Sequence, residues 1–208
     1  MTSRLKKKKE IMELLLDQQA QIASAQVRVM FLDECHLLWG DMSGYGWSRR
    51  NQRVDVEIKS TRSRQTYYGA LDYLTKTFVV HEYSAGNEDN TVAFLQYLQS
   101  LYEKSTQLVI IWDGASYHRC DGVKQFLAQV NGELPPQEWK ITCIRLAPNA
   151  PEQNPVEDVW LQAKQFIRKF SRLCKNFKSV KVLFKLFTHF QTFAFAKAFM
   201  YGYCSSPI

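Results

Sequence analysis

The sequence lacks long apolar runs, a secretory leader and paired cysteines. No apolar stretch approaches the roughly 20 residues needed to span a bilayer, and the basic N-terminus has no apolar segment of the kind found in signal peptides. The five cysteines are odd in number and form no C-x-x-C pair, which argues against a zinc site and favours reduced thiols. We therefore expect a cytoplasmic protein that makes no contact with a membrane.

The composition is that of a folded, basic chain. With 208 residues, of which 46% are hydrophobic and 23% are charged, the chain is long enough for one ordinary domain and an appendage. Lysine and arginine number 27 against 20 acids, a formal net charge of +7. This excess favours a polyanionic partner, although many basic proteins bind none.

Apolar periodicity predicts an α/β fold, a mixed sheet with helices on its faces. The first part of the chain contains predicted strands over 27–33, 54–60, 66–74 and 77–83. The second part interleaves helical and strand patterns over 87–104, 108–113, 123–130, 139–146 and 154–172. Strands grouped early in the chain, followed by alternating strands and helices, are typical of a mixed sheet. We expect about five strands in this one.

The two ends of the chain are predicted to lie outside the main domain, 27–172. Residues 1–26 are expected to form a basic helix or linker with a solvated lysine run, and DNA contact is the weaker interpretation. Residues 173–208 form a Phe-rich tail, helical in period over 180–200, which is expected to pack on the domain or on a partner chain.

Three acids stand where the edge of such a sheet would bring them together. Asp33 ends the first predicted strand, Asp113 follows the apolar run LVIIW, and Glu157 lies in the first turn of the last amphipathic helix. If the strands 27–33 and 108–113 are parallel neighbours, Asp33 and Asp113 emerge side by side. Carboxylates that lie so near one another need a counter-charge. Divalent cations, which prefer oxygen ligands, supply it. We therefore predict a site for two Mg²⁺ or Mn²⁺ ions, an arrangement that cleaves phosphodiesters.

Each acid also has a structural interpretation. Asp33 can be an ordinary strand-end acid, with its neighbour Glu34 as the functional one, because successive strand residues point to opposite faces. Glu157 stands three residues after Asn154, the spacing of a capping box. Asp158 is an adjacent competitor. Taken alone, each acid is more often structural than catalytic.

Basic residues near these acids predict contacts to a phosphate backbone. Lys164 and Arg168 follow Glu157 at +7 and +11, on one face of the predicted helix. A second basic segment contains Arg49, Arg50 and Arg53. For any single arginine there, a solvated turn is an equally good interpretation. His118 is expected either to touch a phosphate or the attacking water, or to pack at a helix start.

At these residues the chain resembles the DDE transposases of the mariner-related bacterial insertion-sequence superfamily. The matching segments are FLDE at 31–34, GW at 46–47, LVIIWDGASYH at 108–118 and LAPNAPEQNPVEDVW at 146–160. The last segment is the most specific, since it ends in N-P-x-E-x-x-W after a proline-containing loop. The resemblance covers about residues 27–172.

The resemblance implies a ribonuclease H-like fold in which Asp33, Asp113 and Glu157 form the metal-binding triad. It implies metal-dependent cleavage at transposon ends, followed by transfer of the freed 3′-hydroxyl into target DNA. The implied partners are double-stranded DNA, at the ends and at the target, and a second copy in a homodimer. The protein would then be associated with the nucleoid while it is bound to DNA.

Three features depart from the family pattern. Gly114 stands where the family usually has Asn, which removes a side chain next to Asp113. The step from Asp113 to Glu157 is longer than usual, and we expect the surplus in residues 131–139. Only 26 residues precede the first predicted strand, too few for the helix-turn-helix domains that the family carries there. In a split gene, an upstream helix-turn-helix polypeptide would supply them; the alternatives are a truncated relic and a trimmed chain.

Two other functions fit the same residues less well. The first is a nuclease of the same fold, such as a ribonuclease H or junction resolvase, against which the N-P-x-E-x-x-W segment argues. The second is a truncated, non-catalytic remnant that binds DNA or full-length partners, against which the intact acids argue.

Overall fold

The sheet is built around strand β1 (Val27–Leu38) in the computed structural model, which describes residues 2–42, 49–52, 63–189 and 192–202. On one side β1 pairs antiparallel with β2 (Arg64–Asp72), which pairs antiparallel with β3 (Phe78–Tyr83). On its other side β1 pairs parallel with β4 (Gln107–Trp112), which pairs parallel with β5 (Ile141–Arg145). The order is β3-β2-β1-β4-β5. The predicted strand over 54–60 lies outside the described residues.

Six α-helices in the described part of the chain cover the two faces of this sheet. They are α1 (Ser3–Asp17), α2 (Gln19–Ala23), α3 (Glu88–Ser100), α4 (Asp121–Asn131), α5 (Val156–Lys169) and α6 (Phe177–His189). Helices α3 and α4 share one apolar core with the sheet, while α1, α2, α5 and α6 share the other. The predicted α/β class, with five strands and helices on both faces, is confirmed. No helix in the described part of the chain is long and apolar enough to cross a membrane.

Alternation along β1 separates the two cores. Val29 and Phe31 face the core that contains α5, whereas Met30 and Leu32 face the core that contains α3 and α4. β4 is buried on both faces, which explains its continuous apolar sequence. The same alternation, continued beyond Leu32, sends Asp33 and Glu34 to opposite faces of the sheet.

Both ends of the chain pack against the sheet. Ile11 and Leu15 of α1 are buried in the α5 core. In α6, Phe184 packs against the rings of Tyr67 and Trp160. The helix predicted over 180–200 ends at His189, and a short 3-10 helix follows at Ala196–Phe199.

Candidate active site

The register of β1 and β4 aligns two of the predicted acids. Phe31 pairs with Ile111 at the end of the parallel ladder, and the same offset continued by two residues sets Asp33 beside Asp113. The prediction that Asp33 ends the first strand is wrong, because pairing with β2 continues β1 to Leu38 and places Asp33 within the strand. Asp33 and Asp113 line one cavity of about 360 Å³ at the carboxyl edge of the parallel strands. This is the edge where open α/β sheets bind their ligands.

The third acid, Glu157, reaches the same cavity from the first turn of α5. Asn154 holds this helix start against β1, because its side-chain amide donates to the Leu32 carbonyl at 3.0 Å. The side-chain oxygen Oδ1 of Asn154 accepts a hydrogen bond from the Val156 N–H at 3.2 Å. The backbone N–H of Asn154 donates to Pro151 instead of to Glu157, so no capping box forms. Among the described residues, the Glu157 carboxylate accepts no hydrogen bond.

The three carboxylates interact electrostatically. Burial raises the pKa of Asp33 well above its ordinary value, and the charges of Glu157, Glu34 and Asp113 raise this pKa further. Burial also raises the pKa of Glu157; the charge of Lys197 opposes this rise, and the charge of Asp113 adds to it. In contrast, a hydrogen bond from His118 lowers the pKa of Asp113. Asp33 and Glu157 therefore resist ionisation, and a divalent cation beside them would stabilise their charged forms.

Trp160 and Gly69 hold Asp33 in place. The Trp160 indole Nε1 donates to Asp33 Oδ2 at 3.1 Å, and Gly69 is the β2 residue paired with Asp33. A Cβ added at Gly69 would lie 2.5 and 2.6 Å from two carbons of the Trp160 ring, and it would also collide with Phe78. Sequence reasoning missed Gly69, although a glycine inside a strand pattern signals such a close approach.

Glu34 supports Asp113 from the opposite face of the sheet. His118 lies between the two acids, with Nε2 3.0 Å from Glu34 Oε1 and Nδ1 3.2 Å from Asp113 Oδ1. The Tyr117 hydroxyl donates to Glu34 Oε2 at 3.0 Å, and the His118 ring stacks on Trp112 at 4.2 Å. Burial acts to lower the pKa of His118, but the hydrogen bonds to Asp113 and Glu34 outweigh it and raise this pKa to about 9.

The sequence decides the family. Residues 28–181, most of the chain, match the family model described as DDE superfamily endonuclease. The chain belongs to this family. Members of the DDE family use divalent metal ions. The predicted relationship to DDE enzymes is confirmed, and so is the prediction of a phosphodiester-cleaving catalytic domain. The curated proteins contain no match to the sequence.

Several solved structures share the fold of this DDE domain. The Mos1 strand transfer complex gives a TM-score of 0.54 at 14% identity, over 88% of this chain and 53% of that chain. The Mos1 mariner paired end complex with Mn gives a TM-score of 0.53 at 13% identity, over 90% of this chain and 56% of that chain. A chain of the simian T-cell lymphotropic virus intasome gives a TM-score of 0.52 at 9% identity, over 81% of this chain and 50% of that chain. These similarities confirm the ribonuclease H-like fold, and the chain spans about half the length of each match.

A second set of ligand-type side chains overlaps the DDE cavity. Glu34, Asp113 and His118 offer ligand atoms that all lie within 4.8 Å of one another. However, each imidazole nitrogen already faces a carboxylate, and a ring that donates from both nitrogens is protonated and has no free lone pair for a metal. The geometry therefore favours His118 as a hydrogen-bonding bridge between the two acids.

Two residues of the predicted DNA-binding set have protein partners. Lys164 Nζ lies 3.3 Å from Asp41 Oδ2, and Arg168 Nε donates to the Asp41 carbonyl at 3.0 Å. Arg49 and Arg50 are exposed, and Arg53 lies outside the described residues. His118 is buried between Glu34 and Asp113, so its predicted contact with a phosphate would require it to leave those partners. DNA contact by these residues stays a prediction.

Asp113 has a backbone partner beside Gly114. Its Oδ1 accepts the Ala115 N–H at 2.9 Å, which contributes to the lowered pKa of this acid. The missing side chain at Gly114 leaves open space, since an added Cβ would meet nothing within 4 Å. Asp113 is therefore held by the Ala115 N–H and by His118.

Proposed function

We propose that this chain is the catalytic domain of a DNA transposase that acts through Asp33, Asp113 and Glu157. The observation that carries the proposal is the convergence of these three carboxylates on one cavity, with Asp33 and Asp113 coming from the adjacent parallel strands β1 and β4 just beyond the end of their pairing. The proposed reaction is cleavage of DNA at transposon ends and transfer of the freed 3′-hydroxyl into target DNA. Membership of the DDE family supports this reaction.

The donor set fits two Mg²⁺ or Mn²⁺ ions. All three ligands are carboxylates, the ligand type that hard divalent cations prefer, and Glu157 has no competing hydrogen bond among the described residues. The raised pKa of Asp33 also favours a cation site, because burial and neighbouring acids make its charged form unfavourable without a counter-charge. When bound, such a pair of ions activates a water or 3′-hydroxyl and stabilises the leaving oxygen.

The remaining residues of the site hold these acids in position. Trp160 fixes the Asp33 carboxylate through its indole N–H, and Asn154 fixes the start of the helix that carries Glu157. His118 orients Asp113, and Glu34 orients His118. Partners at this distance from the reacting atoms act by setting ligand geometry.

We expect Glu34→Gln to lower DNA nicking by about 10- to 100-fold, the usual range for a lost ligand-orienting contact. The amide keeps the size of the side chain but removes the charge that faces the His118 ring, so the ring holds Asp113 less firmly. Nicking of supercoiled plasmid should be measured against Mn²⁺ concentration, and the half-saturating concentration should rise. Glu103→Gln, an exposed residue at the opposite sheet edge, is the matched control. Unchanged Mn²⁺ dependence in Glu34→Gln would contradict the positioning role.

The proposed partners are double-stranded DNA, a second copy of the chain, and a helix-turn-helix polypeptide that recognises the ends. The Mos1 structures with this fold are transposase assemblies named for paired ends and strand transfer, and the match covers about half of each of their chains. The proposed setting is the cytoplasm, at the nucleoid when DNA is bound.

A strand-transfer assay tests the proposed function. The purified chain, with Mn²⁺ or Mg²⁺, should join a labelled oligonucleotide that carries a free 3′-hydroxyl to a supercoiled plasmid. Cleavage without joining would instead indicate a nuclease of the same fold. Neither activity, with DNA binding retained, would indicate a non-catalytic remnant.

A further inference from the structure

A second cavity, of about 440 Å³, adjoins the candidate active site. It is lined by Ser3 and Lys7 of α1, by Arg119 and by Arg145 at the end of β5. The two cavities share Gly114 and the segment 146–148, which form the wall between them. We call this second cavity the basic groove. A chain-like substrate held at Asp113 would enter it by crossing Gly114, where no side chain obstructs the path.

The basic groove carries positive charge without balancing acids. Lys7, Arg119 and Arg145 line it, and the described residues of its lining include no carboxylate. Arg119 and Arg145 are exposed, and neither makes an ion pair or a side-chain hydrogen bond with another described residue. Lys7 pairs with Glu10 at 3.0 Å on the surface of α1, an exposed contact that contributes little stability and can be exchanged.

The groove differs in this respect from the basic residues of α5. Lys164 and Arg168 lie on the helix that carries Glu157, but both are engaged by Asp41. A phosphate that approached them would have to replace protein contacts already made. The guanidinium groups of Arg119 and Arg145 need no such exchange, and their planar donors suit phosphate oxygens.

We propose that the basic groove binds the sugar-phosphate backbone of the cleaved DNA strand, immediately to one side of the scissile phosphate. This inference rests on the proposed function, because it takes the phosphate at Asp113 as its starting point. The backbone crosses Gly114 and Pro148, and Arg119 and Arg145 each contact a phosphate. Lys7 adds a contact from α1, so the N-terminal helix is part of the DNA interface.

The test is the salt dependence of DNA binding by Arg119→Ala/Arg145→Ala in the full chain. A fluorescent duplex of arbitrary sequence serves as the probe, since backbone contacts carry no sequence information. Binding is measured by anisotropy in EDTA, so that it does not depend on catalysis. We expect an affinity about tenfold lower and a slope of log K against log salt reduced by about 1.8, or 0.9 for each lost phosphate contact.

Two further variants make the result specific. Lys104→Ala/Lys140→Ala removes the same charge at the opposite edge of the sheet, ahead of β4 and β5, and should leave the slope unchanged. Arg119→Lys/Arg145→Lys keeps both charges and should restore most of the slope. Thermal unfolding of all three variants reports whether each is folded.

The outcomes separate the groove from the proposed function. Equal slopes and affinities for the alanine variant, its control and the unaltered chain would overturn the proposal that the groove binds DNA, even if the unaltered chain nicks DNA. A reduced slope in a chain that never nicks DNA would support the groove and count against the catalytic proposal.

Discussion

Asp113→Asn should abolish metal-dependent nicking, with a loss of at least about 1,000-fold, as expected when a metal-ion centre loses a ligand charge. Asn has nearly the shape of Asp but cannot supply the negative charge that two divalent cations require. The substitution also removes the charge that faces the His118 ring, 3.2 Å away. The measurement is the rate at which supercoiled plasmid is converted to open circles in Mn²⁺, with EDTA as the metal-free reference.

A matched substitution separates this effect from a general loss of charge. Asp121→Asn makes the same change in an exposed residue at the start of α4, where the acid pairs with Lys124. It should leave the nicking rate within about twofold, because an exposed surface pair outside the candidate site contributes little. Nicking by Asp113→Asn at the rate of Asp121→Asn would remove Asp113 from the mechanism.

Gly69→Ala should destabilise the fold by about 1–3 kcal/mol, the usual cost of overpacking a core, and should also reduce nicking. The added methyl group would overlap the Trp160 ring and Phe78, and both lie in the packed core between β2 and α5. A shift of the Trp160 ring that makes room for the methyl group would also disturb its indole N–H, which donates to Asp33 Oδ2. Urea unfolding gives the free energy of unfolding, and plasmid nicking gives the activity.

Gly40→Ala is the appropriate control for the effect of a methyl group on the backbone. A Cβ at Gly40 would meet nothing within 4 Å, so we expect a change within about 0.5 kcal/mol. Trp160→Phe tests whether the loss of nicking comes from the lost hydrogen bond to Asp33, because it removes the indole N–H while keeping an aromatic ring. If Gly69→Ala is as stable as Gly40→Ala, the close packing of Trp160 on β2 does not constrain Asp33.

Much of the candidate site could be predicted because its acids occupy positions that local patterns define. Asp33 and Asp113 each follow a run of strand residues, and a parallel pairing of those strands is enough to set them side by side. Glu157 follows a proline at the start of a helix with a clear apolar stripe. The role of these acids as metal ligands stays a prediction that the nicking assays test.

Contacts between distant segments could not be predicted in the same way. Alternation indicates that Asp33 and Glu34 point to opposite faces, but it does not indicate that Glu34 meets His118, 84 positions along the chain. Likewise, the spacing of Lys164 and Arg168 favours a DNA contact, whereas Asp41 is the partner that the fold brings to them. The contacts of Lys164 and Arg168 depend on how α5 packs against the segment that follows β1, and the contact of Glu34 depends on the turn that follows β4.

The sequence by itself determined the class of the fold, the family and the candidate acids Asp33 and Asp113, because each follows from periodicity or from a contiguous motif. Only the tertiary structure decided which face each side chain occupies and which cations remain available. Arg119 and Arg145 line a groove without partners among the described residues, while Lys164 and Arg168 are engaged. The physical reason is that a side chain's charge is a local property, but its neutralisation depends on residues that only folding brings near.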